Sequence, residues 1–238
     1  MSIAEQILYE DNHLIAINKR CGQIVQGDKT GDETLPDMIK AYLKERDGKP
    51  GNVFCGVIHR LDRPVSGVVL FAKTSKALSR MNETIKGRDV QKCYWALCKE
   101  TPLPPEGHLE DWMGRDERNN KAFIINKNDN RTKADSSLKL AILDYKLIAT
   151  SKGGYNLLEI QLHTGRHHQI RAQLANIGCH IKGDLKYGAP RSNPDGGISL
   201  HARSITFTHP VRKEVITIIA PPPEEPIWKE LKIENYRP

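Results

Sequence analysis

Two segments of this 238-residue chain concentrate residue types that can do chemistry. The first is His59-Arg60-Leu61-Asp62, a polar tetrad between the apolar runs VFCGV (53–57) and VVLFAK (68–73), which both read as strands. A carboxylate held between buried strands loses its water and needs a cationic partner to stay charged. Arg60 or a more distant Arg can serve Asp62 in this way. A salt bridge closing a turn meets that need as well as a catalytic carboxylate does, because structural ion pairs also perturb carboxylates.

The second segment is His163-Thr164-Gly165-Arg166-His167-His168-Gln169-Ile170-Arg171, where a strand ending at 162 turns into a helix. Free N–H groups at a helix start attract anions. Thr164, Arg166, His167 and Gln169 can all donate from that point, which suits a phosphate or a catalytic carboxylate. His163 and His167 also have the H-x-x-x-H spacing of a metal site. No acidic residue adjoins them in the sequence and the neighbouring arginines repel a cation, so the reading is against a metal.

The bulk properties fit a globular protein that meets polyanions. Apolar residues make up 38% and charged residues 27% of the chain, an ordinary balance for a packed domain. The 36 Lys and Arg exceed the 29 Asp and Glu, for a formal charge of +7, and such an excess favours phosphate-rich partners. The five Cys form no C-x-x-C pair. Their spacing points to a reducing compartment without a disulfide framework. The start, MSIAEQILYEDN, has neither the basic nor the apolar region of a signal peptide. No stretch has the length of a membrane span. The expectation is a cytoplasmic protein.

The elements around the two segments follow from periodicity. ILYE and HLIAINK flank Asp11-Asn12 as a β-hairpin. Leu35, Met38, Ile39, Tyr42 and Leu43 line one face of a helix that Thr34 caps, Pro36 opens and Asp47-Gly48 closes. Thr74 or Ser75 caps a second helix carrying Ala77, Leu78, Met81 and Ile85. VQKCYWALC (90–98) reads as a strand rich in β-branched and aromatic residues. The polar stretch 115–137 reads as a mobile hairpin or long loop. Strands follow at 138–150 and 155–162, then a helix bearing Ile170, Leu174 and Ile177 that stops at Gly178. Strands at 198–208 and 214–220 and a closing helix at IWKELKI complete the chain. Eight to ten strands with three or four helices and many strand-to-strand joins predict an α+β fold. It reads as one continuous domain over 1–238, with room for two lobes.

Four motifs together carry a family resemblance. HRLDRPVSGVVLFAKT (59–74), KCYWALC (92–98), HTGRHHQIRAQLANIGCHIKGDLKYG (163–188) and LHARSITFTHP (200–210) resemble, in order, the motifs of the RluA-type pseudouridine synthases. Position 65 is Val where that family commonly has Thr, so a hydroxyl is missing. The chain resembles the shorter members, which lack an N-terminal S4-like domain. The resemblance implies a pseudouridine synthase catalytic fold, a mixed and mostly antiparallel central sheet flanked by helices and loops. It implies an enzyme that isomerises uridine in ribosomal RNA or tRNA without cofactor or metal, in agreement with the lack of any phosphate-binding glycine motif. It implies no membrane and no obligate protein partner, and a monomer.

By the same resemblance, Asp62 is the essential carboxylate, acting at C1′ of the sugar or as base at C2′. Arg166 is the cation that pairs with it, and Tyr94 is the aromatic residue that stacks on the base and aids removal of the C5 proton. Arg60 fills the gap left when the base is flipped out. Leu61 packs beneath the loop and Ile170 forms an apolar wall for the uracil. His167, Gln169, Arg171 and Lys182 complete the expected RNA-binding set, with the 115–137 loop, Lys186 and Arg191 as further backbone contacts. The competing readings are a metal-dependent nuclease using Asp62 with the histidines, and a non-catalytic RNA-binding module on the same fold.

Overall fold

The computed structural model describes residues 2–28, 30–125, 135–231 and 233. It divides into two compact units, one made of Met1–Gln91 and His201–Pro223, the other of Lys92–Leu200 and Glu224–Pro238. The fold is α+β, as the pattern of elements predicts. Among the described residues no helix is long and apolar enough to cross a membrane.

The first unit is built on β2 (Leu14–Lys19) and β4 (Ser66–Ala72), which pair antiparallel. All of β4 is buried, and Leu14 to Ile17 of β2 have no exposure. Such unbroken apolar runs belong to strands covered on both faces. β1 (Ile7–Glu10) forms the predicted hairpin with β2. The Asp11 carboxylate fixes its turn by accepting the N–H groups of His13 and Leu14 at 2.7 and 2.8 Å. β10 (Leu200–Thr208) runs parallel to β4 at Ser66 and Gly67, and β11 (Val215–Ile219) pairs antiparallel with β10. A Cβ on Gly67, at φ +114°, would sit 2.3 Å from the Ala202 carbonyl oxygen. Only glycine lets β10 approach there. α1 (Leu35–Arg46) and α2 (Ser75–Lys86) start at Thr34 and Thr74, whose side chains accept the N–H of Asp37 and Ala77.

The second unit is an antiparallel sheet of β5 (Gln91–Cys98), β9 (Asn156–Leu162), β8 (Lys139–Thr150), β6 (Glu106–Asp116) and β7 (Lys121–Ile125), in that order. One side of β5 carries Cys93, Trp95 and Leu97, which pack with Leu157, Trp228 and Leu231. Trp228 comes from α4 (Pro226–Glu230), the closing helix. α3 (Gln169–Asn176) contributes Ala172 to a second cluster with Met113, Ala122, Ala141 and Tyr187.

Two expectations change. The 53–57 run yields only the two-residue strand β3, Gly56–Val57, because its pairing with β4 is confined to Ala72 and Phe71. Residues 106–125 form the β6–β7 hairpin, although its first strand was not foreseen. Its alternation of exposed and half-buried residues hides a weak apolar signal. The rest of the expected 115–137 loop includes 126–134, which lie outside the described residues.

Candidate active site

Asp62 belongs to the first unit and stands in a non-repetitive loop between β3 and β4. The loop is anchored by Ile58 and Leu61, 7% and 8% exposed. His59 accepts the Leu70 N–H at Nε2 (3.1 Å), tying the start of the loop to β4. On the far side, Val65 N–H donates to the Asp62 carbonyl (3.0 Å) and Gly22 N–H to the Arg63 carbonyl (3.0 Å). Lys19 completes the brace. Its ammonium, with no side-chain exposure, donates to the carbonyls of Arg20 (3.1 Å), Arg63 (3.0 Å) and Val65 (2.6 Å). Burial pushes the Lys19 pKa down to about 8, against the opposing pull of Cys21 and Asp62. The half-buried Asp62 is therefore presented from a turn whose flanking carbonyls are fixed by one buried cation.

The arginines beside Asp62 face outward. Arg60 is exposed and Nη1 hydrogen-bonds Gln26. Arg63 forks to Asp28 (2.9 Å), Asp32 (2.6 Å) and the Thr30 hydroxyl (2.8 Å). Ser66, at the start of β4, has Oγ 2.9 Å from Nδ1 of the buried His201, whose Nε2 lies 3.2 Å from the Ala220 carbonyl. Because that carbonyl only accepts, His201 carries its proton on Nε2 and accepts a hydrogen bond from the Ser66 hydroxyl at Nδ1. Burial lowers its pKa to about 4, so it is neutral near pH 7.

Tyr94 and Arg166 belong to the second unit. Tyr94 is 7% exposed, on the face of β5 opposite Cys93, Trp95 and Leu97. Arg166 is half-buried at the turn after β9. Its Nε donates to the Leu140 carbonyl at 2.9 Å, leaving both terminal nitrogens uncommitted among the described residues. The turn is shaped by Gln169, which is 3% exposed. Its Oε1 accepts the Thr164 hydroxyl (2.8 Å) and the Arg166 N–H (3.0 Å). Its Nε2 donates to the Ile142 carbonyl (3.1 Å) and to Gln173 Oε1 (2.9 Å). His168 precedes the helix in the left-handed region, at φ +51°, a conformation that needs support from its surroundings. That support comes from Tyr187, whose hydroxyl lies 3.0 Å from His168 Nδ1, and from His167, stacked on it at 3.8 Å. Burial, aided by the Arg171 charge, lowers the His168 pKa to about 2.

The other sequence-predicted residues of this unit are largely interior. Ile170 is buried. Arg171 is buried in a two-bond ion pair with Asp184 (2.6 and 2.7 Å), beneath the Tyr187 ring. Lys182 donates to Asn193 Oδ1 at 2.5 Å. Lys186 caps the carbonyls of Asn119 and Asn120, and Arg191 is exposed. His163 is turned away to Asp144, which also holds His108, both at 2.6 Å. No acid adjoins His163 in the sequence, because Asp144 reaches it across the β8–β9 pairing.

Sequence reasoning missed Lys19, His59 and His168 as shaping residues. Lys19 did carry a signal, as a lysine closing the apolar run LIAINK. His168 carried none, since a left-handed residue before a helix is visible only in the backbone.

Comparison with known proteins agrees with these motifs. The family model described as RNA pseudouridylate synthase matches residues 13–176. The chain is 32% identical over 233 residues to the ribosomal large subunit pseudouridine synthase D of Xylella fastidiosa, covering 92% of this chain and 66% of that protein. It is 30% identical over 243 residues to the tRNA pseudouridine synthase C of Haemophilus influenzae, covering 95% of each. Its fold is similar to the solved structure of human RNA pseudouridylate synthase domain containing 4, with a TM-score of 0.75, 23% identity, and coverage of 93% of this chain and 90% of that one.

Proposed function

Because the chain belongs to the RNA pseudouridylate synthase family, we propose that Asp62 is the carboxylate with which it isomerises uridine in RNA to pseudouridine. The enzyme class follows from the family. The assignment of Asp62 is carried by one observation: the loop presenting it is braced by a fully buried lysine that donates to two of its carbonyls, those of Arg63 and Val65. A protein does not bury a cation in this way without return. What it gains here is a fixed turn beside a carboxylate, the preorganisation that a nucleophile or base requires.

Tyr94 is the stacking platform for the uracil, held rigid by its strand. Arg166 supplies a guanidinium for the reacting carboxylate, its terminal nitrogens being uncommitted among the described residues. Ile170 walls the base. Arg60 and His167, exposed and half-buried, make the outward contacts with RNA. Gln169, Arg171 and Lys182 are engaged with protein groups, and we assign them to holding the 163–193 segment in shape. The two units act as one catalytic domain, without cofactor or metal, as a cytoplasmic monomer. The substrate is ribosomal RNA or tRNA, the RNAs named for the two bacterial relatives. Mapping pseudouridine in total RNA from cells with and without the gene tests this. Sites lost from either RNA support it, and no lost site contradicts it.

A further inference from the structure

Lys92 is the first residue of the second unit and the second of β5. Alternation along the strand puts Cys93, Trp95 and Leu97 into the cluster with Trp228, so Lys92, Tyr94, Ala96 and Cys98 share the other face. That face carries the segment following β9. Cys98 Sγ reaches the Cys179 carbonyl at 3.7 Å. A Cβ built on Gly165 would lie 3.3 Å from Lys92 Nζ. Gly165 is the residue before Arg166, and its missing side chain leaves the ammonium room there.

The ammonium is poorly compensated. Among the described residues it makes no hydrogen bond or ion pair, and burial alone lowers its pKa, with no carboxylate opposing the shift. Among the described residues, three other interior cations have acceptors: Lys19 has three carbonyls, Arg171 has Asp184 and Lys182 has Asn193. A half-buried cation with no protein acceptor leaves its charge open to an anion from solution. Lys92 sits two residues from Tyr94, about 7 Å along the strand, within the reach of a single nucleotide.

We propose that Lys92 binds a backbone phosphate of the target nucleotide while Tyr94 stacks on its base. This assignment rests on the function proposed above. It makes the side of β5 bearing Tyr94 a two-point clamp, an aromatic plane for the uracil and a cation for its phosphate. The commonplace alternative is a lysine whose stem covers apolar surface while its head stays in water. The two differ in salt dependence, because only a phosphate ligand releases a counterion.

The test compares Lys92→Met, Lys92→Gln and Lys92→Arg with the wild type. Activity is followed on a transcript in which the wild type forms pseudouridine, and binding on unfractionated tRNA, both across a salt series. The expectation for Met and Gln is kcat/KM lower by about tenfold at low salt, and a log–log salt slope shallower by about 0.7 to 0.9. Lys92→Arg retains the slope, and all three keep the wild-type melting profile. An unchanged slope in both neutral variants, or an Arg variant as impaired as Met, overturns the proposal. So does a shift of the acid limb of kcat with an unchanged slope, which would make Lys92 a partner of a carboxylate. If the wild type converts no uridine, the proposed function fails by itself, while the binding slope on tRNA still decides whether Lys92 meets phosphate.

Discussion

Lys19 Nζ donates at 2.6 Å to the carbonyl of Val65, three residues past Asp62. A strand residue from the β1–β2 hairpin thus fixes the turn that presents the carboxylate, although 43 positions separate Lys19 from Asp62 in the chain. Lys19→Met keeps the stem and removes the donors, leaving three carbonyls without their partner. We expect turnover to fall at least about tenfold while RNA affinity stays close to wild type. Buried acceptors left unsatisfied cost about 1–3 kcal/mol each at most, so a lower melting temperature accompanies the loss. The wild type should show an alkaline limb near pH 8, where Lys19 loses its proton, and the variant should lack it. Full turnover in a folded Lys19→Met protein would remove Lys19 from the positioning of Asp62.

Acid should destabilise the protein before it titrates most carboxylates. His201 and His168 have folded pKa values lowered to about 4 and about 2, mainly by burial. In the unfolded chain both titrate near 6.5. Below that pH the unfolded state binds more protons, so stability is fully present above about 6.5 and is lost as pH falls toward 4. Urea unfolding at pH 7 and pH 4.5 should show the loss. His201→Gln should shed about one proton from the slope, and Ser66→Ala should weaken the same buried pair. A stability that stays level over this range would contradict neutral, buried histidines.

Gln169 separates positioning from RNA contact. It looks like an RNA donor in the sequence, yet the fold engages its amide with Thr164, Arg166, Ile142 and Gln173. Gln169→Ala should lower stability by about 2–3 kcal/mol, the scale of a buried network left half satisfied. It should lower kcat without changing the salt dependence of RNA binding. A shallower salt slope with unaltered stability would return Gln169 to the RNA interface.

Arg166→Ala tests the cation. Its side chain makes one bond to a backbone carbonyl, so its loss should cost about 1 kcal/mol of stability. Turnover should fall far more than that loss of stability accounts for. Unaltered turnover would exclude Arg166 from the chemistry.

How much of this was legible in the sequence differs by residue. Asp62, Tyr94 and Arg166 could be singled out because their motifs are local in the chain and ordered along it. The helix around Ile170 was visible from its apolar spacing, and Thr34 and Thr74 from their capping chemistry. Lys19 was hidden because its partners are carbonyls, which any residue supplies. Lys92 was hidden in a strand motif whose aromatic residues drew the reading. The inward turn of Arg171 depends on Asp184, 13 positions on, and a one-dimensional pattern does not show such pairing. The β6 strand was missed because its solvent face interrupts every apolar pair.

Asp62→Asn is the most direct measurement of the central claim. The substitution keeps size and hydrogen bonding while removing the charge that a nucleophile or base needs. Tritium release from uridine-labelled RNA should fall at least about 10³-fold, with RNA binding and melting temperature retained. A folded Asp62→Asn protein that releases tritium at the wild-type rate would contradict the account.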